Sequence, residues 1–174
     1  MKLNLYEYKV ENRTIYTSSA PCTLRGQRPE MNDLLVCFNE MSNGLYDKNI
    51  WLVCVLLTNS EIQYYYKGEL LPLYGIFGMD VIHFPIPDFG IPKSIEDFDR
   101  LQTTLVDYPA NKAVLIHCRG GIGRSGLCVG GFLIKLGINP MHAIQMVRNK
   151  RHGSVETEEQ EEFLFEYARR IRKE

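Results

Sequence analysis

The chain has 174 residues, 45% of them apolar, with a net charge of -1 and an isoelectric point of about 6.4. That length suits a single globular domain over residues 1–174, with a proper core. The balance of charge leaves no nucleic-acid footprint, no run approaches the ~18 apolar residues of a membrane-spanning helix, and Met1–Glu7 is too short and too charged for a signal peptide.

Along the chain, Tyr6–Val10 and Thr14–Ser18 read as short strands. Arg28–Asn32 is a polar lead-in to an amphipathic helix with Met31, Leu34, Leu35, Phe38 and Met41 on one side, ended by Asn43-Gly44. Ile50–Leu57 is a continuous apolar run of strand length, as in a sheet covered on both faces. Glu61–Phe77 reads as helical, interrupted near Gly68 and Pro72, and Asp80–Ile86 as another strand. Pro85, Pro87, Gly90 and Pro92 then impose a loop. Ser94–Asp97 has the pattern of a capped helix start, followed by Ile95, Phe98, Leu101 and Leu105 at helical spacing. Ala113–Ile116 is a short buried strand, followed by a glycine-rich loop and an apolar helix from about Arg124 to Leu136. Pro140 opens a helix to about Asn149, and a last helix runs from about Thr157 to Arg172. The alternation predicts an α/β fold: a central, mostly parallel sheet of about 4–5 strands flanked by helices.

The chemistry concentrates in His117-Cys118-Arg119-Gly120-Gly121-Ile122-Gly123-Arg124-Ser125. A Cys-x5-Arg spacing alone is weak, and Cys22 with Arg28 has it too. Context separates them, because Cys118 ends a buried strand and a helix follows its loop at once. Glycines let successive N–H groups turn inward into an anion-binding nest, and the helix points its positive end at the same spot. A phosphate fits there, and so does a thiolate. Residues Arg119, Gly120, Gly121, Ile122, Gly123 and Arg124 would bind the phosphate, Arg124 with its planar fork. Ser125 can donate its hydroxyl to the sulfur. His117 can orient the loop, or be a satisfied core histidine. The bland reading of Cys118 itself is an inert buried cysteine; the loop around it argues otherwise. Gly121–Gly126 also spells GxGxxG, but no acidic residue follows before Val155, so a dinucleotide site fails, and no Walker sequence is present.

Cleaving a phosphate ester calls for a proton donor to the leaving oxygen. Asp88, in Pro85-Ile86-Pro87-Asp88-Phe89-Gly90, follows a strand, so its loop reaches the sheet edge where α/β folds bind ligands. Gly90 could hinge it. Asp80 starts a strand, and Asp97 and Asp99 fall on a helix, so Asp88 is favoured. The five cysteines (Cys22, Cys37, Cys54, Cys118 and Cys128) are odd in number and lack a CxxC spacing. That argues against a disulfide framework or zinc site and for a reduced, cytoplasmic setting.

With Cys118 and Asp88 placed, the chain resembles the cysteine-dependent protein phosphatases of the tyrosine and dual-specificity superfamily, whose signature is His-Cys-x5-Arg-Ser/Thr. Within them it is most similar to the kinase-associated phosphatase type. Corroborating blocks are Ser18-Ser19-Ala20-Pro21, Pro85-Ile86-Pro87-Asp88 and Gly153–Gln160. The resemblance implies attack by the Cys118 thiolate with Asp88 as acid and then base, no metal or other cofactor, and a phosphoprotein or phosphopeptide substrate. Many relatives carry Gln-Thr-x-x-Gln where this chain has Glu156-Thr157-Glu158-Glu159-Gln160. Glu156 and Gln160 would share a helix face near the site; Glu156 either disfavours phosphate or is an exposed acid at a helix start.

The signature loop lacks the lysines of phosphoinositide-specific relatives. The isoelectric point argues against an RNA 5′-phosphatase. A phosphoprotein-binding module without turnover would have lost the nucleophile, the arginine or the acid, and all three are present. A rhodanese-type sulfur transferase has less reason to pair Arg124 with Asp88. Arg148, Lys150 and Arg151 form a basic cluster that either touches an acidic substrate or caps a helix end. The expected partners are substrate alone, with no nucleic acid or membrane, and the expected state is a monomer.

Overall fold

The computed structural model describes residues 3–22 and 29–172. Met1, Lys2 and Arg28 lie outside the described residues, so Arg28 of the second Cys-x5-Arg match and of the helix lead-in is not placed. Five strands form one sheet in the order β1-β2-β5-β3-β4: β1 (Tyr6–Val10), β2 (Arg13–Ser18), β3 (Ile50–Val55), β4 (Asp80–His83) and β5 (Ala113–His117). Only β1 runs antiparallel to its neighbour; the other pairings are parallel. The registers align Ser18, His117, Val55 and His83 in a single row at the C-terminal edge. The segments leaving that row meet above the sheet, and the functional side chains stand on them.

Apolar residues alternate across β3 and β5, so each strand feeds both faces. Leu52, Cys54, Val114 and Ile116 pack under α4 (Ile95–Asp107), α5 (Gly123–Lys135), α6 (Pro140–Lys150) and α7 (Glu158–Ile171). Val53, Val55 and Leu115 pack under α1 (Met31–Asp47), α2 (Asn59–Tyr66) and α3 (Leu70–Ile76). Helix α5 lies at the centre of its layer. Gly131 is what admits Phe98, since a Cβ there would stand 2.4 Å from the ring. Phe98 in turn meets Phe163 and Tyr167 edge-on, each at 5.1 Å.

Several boundaries differ from the sequence reading. Helix α1 does not stop at Asn43-Gly44 but runs to Asp47, because Leu45 extends the buried stripe of Leu34, Phe38 and Met41. Burying a leucine outweighs the ~1 kcal/mol that an interior glycine costs. Met31 and Leu35, expected on that stripe, are exposed. Pro72 does not break a helix, since it sits in the first turn of α3, where its missing N–H is not needed. The break falls at Lys67 and Gly68, both at positive φ. Strand β4 ends at His83 rather than Ile86, because Pro85 has no N–H to offer the ladder. Ser94 caps α4 by accepting the Asp97 N–H at 3.0 Å.

The cysteines also differ. Cys22 and Cys37 form a disulfide, with Cα atoms 6.0 Å apart. Packing of α1 on the sheet brings Cys37 against the turn that follows β2, a proximity that neither spacing nor parity reveals. The link ties the Ser19–Cys22 turn to α1, and Tyr66 Oη donates to Pro21 O at 2.6 Å on the same turn. Cys54, Cys118 and Cys128 are free.

Protein purified without reductant and then denatured should therefore titrate three thiols with Ellman's reagent. Removing the link in a Cys22→Ser/Cys37→Ser variant should lower the unfolding free energy by about 3 kcal/mol. A titre of five thiols would contradict the pairing.

Candidate active site

The loop between β5 and α5 places Cys118 at its base, buried. Gly121 donates its N–H to Cys118 Sγ at 3.1 Å. Gly121 lies at φ 69°, and a Cβ on it would stand 2.2 Å from Ser18 O, so only glycine fits there. With the Gly121 N–H on the sulfur, the loop's carbonyls need donors from elsewhere. Cys118 O takes His117 Nδ1 at 3.3 Å, Arg119 O takes Ala20 N at 3.0 Å, Gly120 O takes Arg151 Nη2 at 2.7 Å, and Ile122 O takes Gly126 N at 2.9 Å. The turn after β2 therefore braces the loop from outside.

Arg124, in the first turn of α5, is 1% exposed. Its Nη1 and Nη2 donate to Glu61 Oε2 and Oε1 at 2.8 and 2.9 Å. Nη1 also donates to Ile86 O at 3.0 Å, and Nη2 lies 2.7 Å from Asp88 Oδ1. Burial alone would push the guanidinium down. The Glu61 hydrogen bonds, with the charges of Cys118, Glu61 and Asp88, more than offset it, so Arg124 stays charged. Glu61 is the counterpart. Burial pushes it up, but hydrogen bonds from Arg124 and from the Thr58 N–H hold its carboxyl below the ordinary range.

Glu61 did not emerge from the sequence as a site residue. It is the acidic member of a capping box at the start of α2. Its carboxylate accepts the Thr58 N–H at 2.8 Å, while Thr58 Oγ1 accepts the Glu61 N–H at 3.2 Å. Thr58-Asn59-Ser60-Glu61 is a readable capping pattern, but nothing in it announces a second duty towards Arg124.

His117 is fully buried, and burial, reinforced by Arg124, pushes it down to about 4. A carbonyl only accepts, so Nδ1 carries the proton given to Cys118 O, and Nε2 accepts from the Tyr74 hydroxyl at 3.0 Å. His117 is thus a satisfied core histidine that also orients the loop. Tyr74, the other member of that pair, carried no signal in the sequence.

Asp88 lies on the loop after β4, against Arg124, and lines the same pocket as Cys118. Gly90, read as a hinge, carries no positive φ in this structure. Phe89 is the residue at positive φ, 59°, with an exposed ring. Gln160, fully buried, donates Nε2 to Gly90 O at 3.0 Å and accepts the Glu156 N–H on Oε1 at 2.9 Å. Gln160 therefore ties the acid loop to the start of α7. The expected bond from Ser125 to the sulfur is absent. Ser125 Oγ is buried without a hydrogen-bond partner among the described residues, and Sγ takes the Gly121 amide instead.

Glu156 does approach the site. Its Oε2 would lie 2.6 Å from a Cβ on Gly123. Asp88, Phe89, Cys118, Arg119, Arg124 and Glu156 line one pocket of about 190 Å³. Arg119 stacks on the Tyr65 ring at 4.9 Å. The basic cluster splits: Arg148 pairs with Glu161 and holds Ser154 O and Val155 O, while Arg151 turns to the Cys118 loop. Among the described residues no cluster of His, Cys, Asp or Glu forms a metal-binding group, and no helix is long and apolar enough to cross a membrane.

The family model described as Cyclin-dependent kinase inhibitor 3 (CDKN3) matches residues 20–144. The chain is 34% identical over 129 residues to the cyclin-dependent kinase inhibitor 3 of Rattus norvegicus, covering 72% of this chain and 58% of that protein. It is 36% identical over 121 residues to that of Homo sapiens, covering 66% and 56%. The chain thus spans little more than half the length of these relatives. Among solved structures, kinase associated phosphatase with its catalytic-site cysteine replaced by serine superposes with a TM-score of 0.78 at 26% identity, covering 100% of this chain and 98% of that one. Tk-PTP in its active form gives 0.73 at 30% identity, covering 95% and 98%.

Two stability effects follow. Between the folded-state value of about 4 and the ordinary 6.5 of His117, the unfolded chain binds the extra proton. Stability therefore rises with pH across that window and is lost as pH falls through it, at up to ~1.4 kcal/mol for each pH unit crossed. His117→Gln should flatten the urea-unfolding profile between those pH values; an unchanged slope would contradict the buried neutral imidazole. Glu61→Gln should lower stability by about 3 kcal/mol at neutral pH. That difference should shrink as pH falls below the ordinary 4.5 of the carboxyl and through its lowered folded-state value.

Proposed function

Because the chain belongs to the cyclin-dependent kinase inhibitor 3 family, we propose that it is a protein phosphatase acting through a phosphocysteine on Cys118. The carrying observation is the meeting of three groups in one pocket: Cys118 with an amide N–H on its sulfur, Arg124 held by Glu61, and Asp88 2.7 Å from Arg124. Phosphate enters the nest with its oxygens on the loop N–H groups and Arg124. Cys118 sulfur forms a bond to phosphorus as the ester P–O bond breaks, and Asp88 gives its proton to the departing oxygen. Water then attacks phosphorus, the S–P bond breaks, and Asp88 takes the water proton. Developing charge is met by Arg124 and the loop dipoles.

The substrate class follows from the rim. Glu156 puts a carboxylate beside the pocket, which disfavours polyanionic phosphoinositides and RNA 5′-ends and leaves a single phosphoresidue on a protein. Phosphotyrosine, with phosphoserine and phosphothreonine, is the proposed range. A monomer is the proposed state. The Cys118 thiol suits a reducing, cytoplasmic setting. A binding module without turnover would not need an acid held over an intact nucleophile.

Cys118→Ser should abolish hydrolysis of p-nitrophenyl phosphate; retained turnover would sink the mechanism. Asp88→Asn should slow esters with poor leaving groups by roughly 100-fold or more while sparing good ones; equal effects on both would reject Asp88 as the acid. A panel of phosphopeptides beside phosphoinositides should show turnover of the peptides, and preference for the lipids would overturn the substrate class.

A further inference from the structure

A charged side chain from another element holds the Cys118 loop at one point. Arg151 caps the C-terminus of α6, yet its guanidinium does not bond that helix's own last carbonyls. It reaches Gly120 O at 2.7 Å, 31 residues away in sequence, and its Cζ lies 4.4 Å over the Tyr6 ring of β1. Among the described residues its side chain has no ion-pair partner and no other hydrogen-bond acceptor; Nη1 is buried and unpaired. A helix-capping or solvated arginine has no reason to be held this way.

The carbonyl it holds belongs to the same peptide unit whose N–H, that of Gly121, donates to Cys118 Sγ at 3.1 Å. That peptide lies between two glycines, Gly120 and Gly121, the freest point of the loop to rotate. A flip would turn the oxygen towards the sulfur and remove a donor from the anion nest. A cation on the oxygen opposes the flip and polarises the N–H that faces the nucleophile. We infer that Arg151 is a positioning residue, acting through the Gly120–Gly121 peptide to keep the phosphate loop in its anion-binding form. Tyr6 fixes the guanidinium from below. The inference deepens the phosphatase reading and rests on it.

The test compares parent, Arg151→Met, Arg151→Lys and Tyr6→Leu in inhibition by orthovanadate, kinetics on p-nitrophenyl phosphate, leaving-group dependence and thermal midpoint. Loss of a charge-assisted hydrogen bond is worth roughly tenfold, so Arg151→Met should weaken vanadate inhibition and kcat/KM by about that factor. Its leaving-group dependence should match the parent, because Asp88 is untouched. Arg151→Lys should recover most of the loss, and Tyr6→Leu should show a smaller loss with Arg151 still present. A loss that lysine does not recover, accompanied by a lowered thermal midpoint in both Arg151 variants, would mean a merely structural role and overturn the inference. If Arg151→Met fails to fold, parent-like vanadate inhibition in Tyr6→Leu overturns it instead. A parent that binds vanadate and turns over substrate, matched by Arg151→Met in both, sinks this inference alone. A parent that does neither sinks the phosphatase reading with it.

Discussion

Arg124 keeps a permanent positive charge on a side chain that is 1% exposed, and that cation organises the C-terminal edge of the sheet. A buried charge is costly unless it is paired and hydrogen-bonded on every side. Here the partners come from two segments: Glu61 on α2 beyond β3, and Ile86 O with Asp88 on the loop beyond β4. Parallel strands send these segments to one edge, so a single guanidinium draws them into register. Glu61 takes both terminal nitrogens and fixes the fork, while Asp88 approaches only one of them. The carboxylate that fixes the fork and the one proposed to handle protons are therefore different.

The backbone of the Cys118 loop faces a second constraint. Four of its carbonyls, those of Cys118, Arg119, Gly120 and Ile122, take donors from around it. The turn after β2, the buried His117, the first turn of α5 and Arg151 share that duty. This explains why Ser18–Pro21, far from Cys118 in sequence, packs so closely on Gly121, and why a disulfide and Tyr66 anchor that turn from behind. The chemistry proposed for Cys118 depends on side chains that never touch a substrate.

Much of this was legible in the chain. Apolar runs at strand length and the capped helix at Ser94 are local patterns, and they placed the sheet and the order of its elements. The Cys118 loop and Asp88 were legible because their surroundings are local too: a strand before, glycines within, a helix after. What was hidden depends on tertiary contact. Glu61 reads as an ordinary cap, and only the fold reveals that its carboxylate meets Arg124. Cys22 and Cys37 meet because α1 packs on the sheet, which no spacing encodes. Helix α1 outruns Gly44 because Leu45 finds a buried place. Phe89 takes the positive φ of the acid loop, and buried Gln160 holds the Gly90 carbonyl, neither of which the sequence announces. Ser125, read as the sulfur's partner, yields that place to the Gly121 amide.

The proposed chemistry stands on a covalent bond between phosphorus and one sulfur. Its most direct test is to mix the protein with a rapidly cleaved phosphate ester, quench in acid within the first turnovers, and map phosphate by peptide mass spectrometry. Phosphate should be found on Cys118, and it should accumulate further when Asp88 is replaced by Asn, since hydrolysis of the intermediate then lacks its base. Turnover with no phosphate on Cys118 under those conditions, or with phosphate on another residue, would contradict a phosphocysteine mechanism.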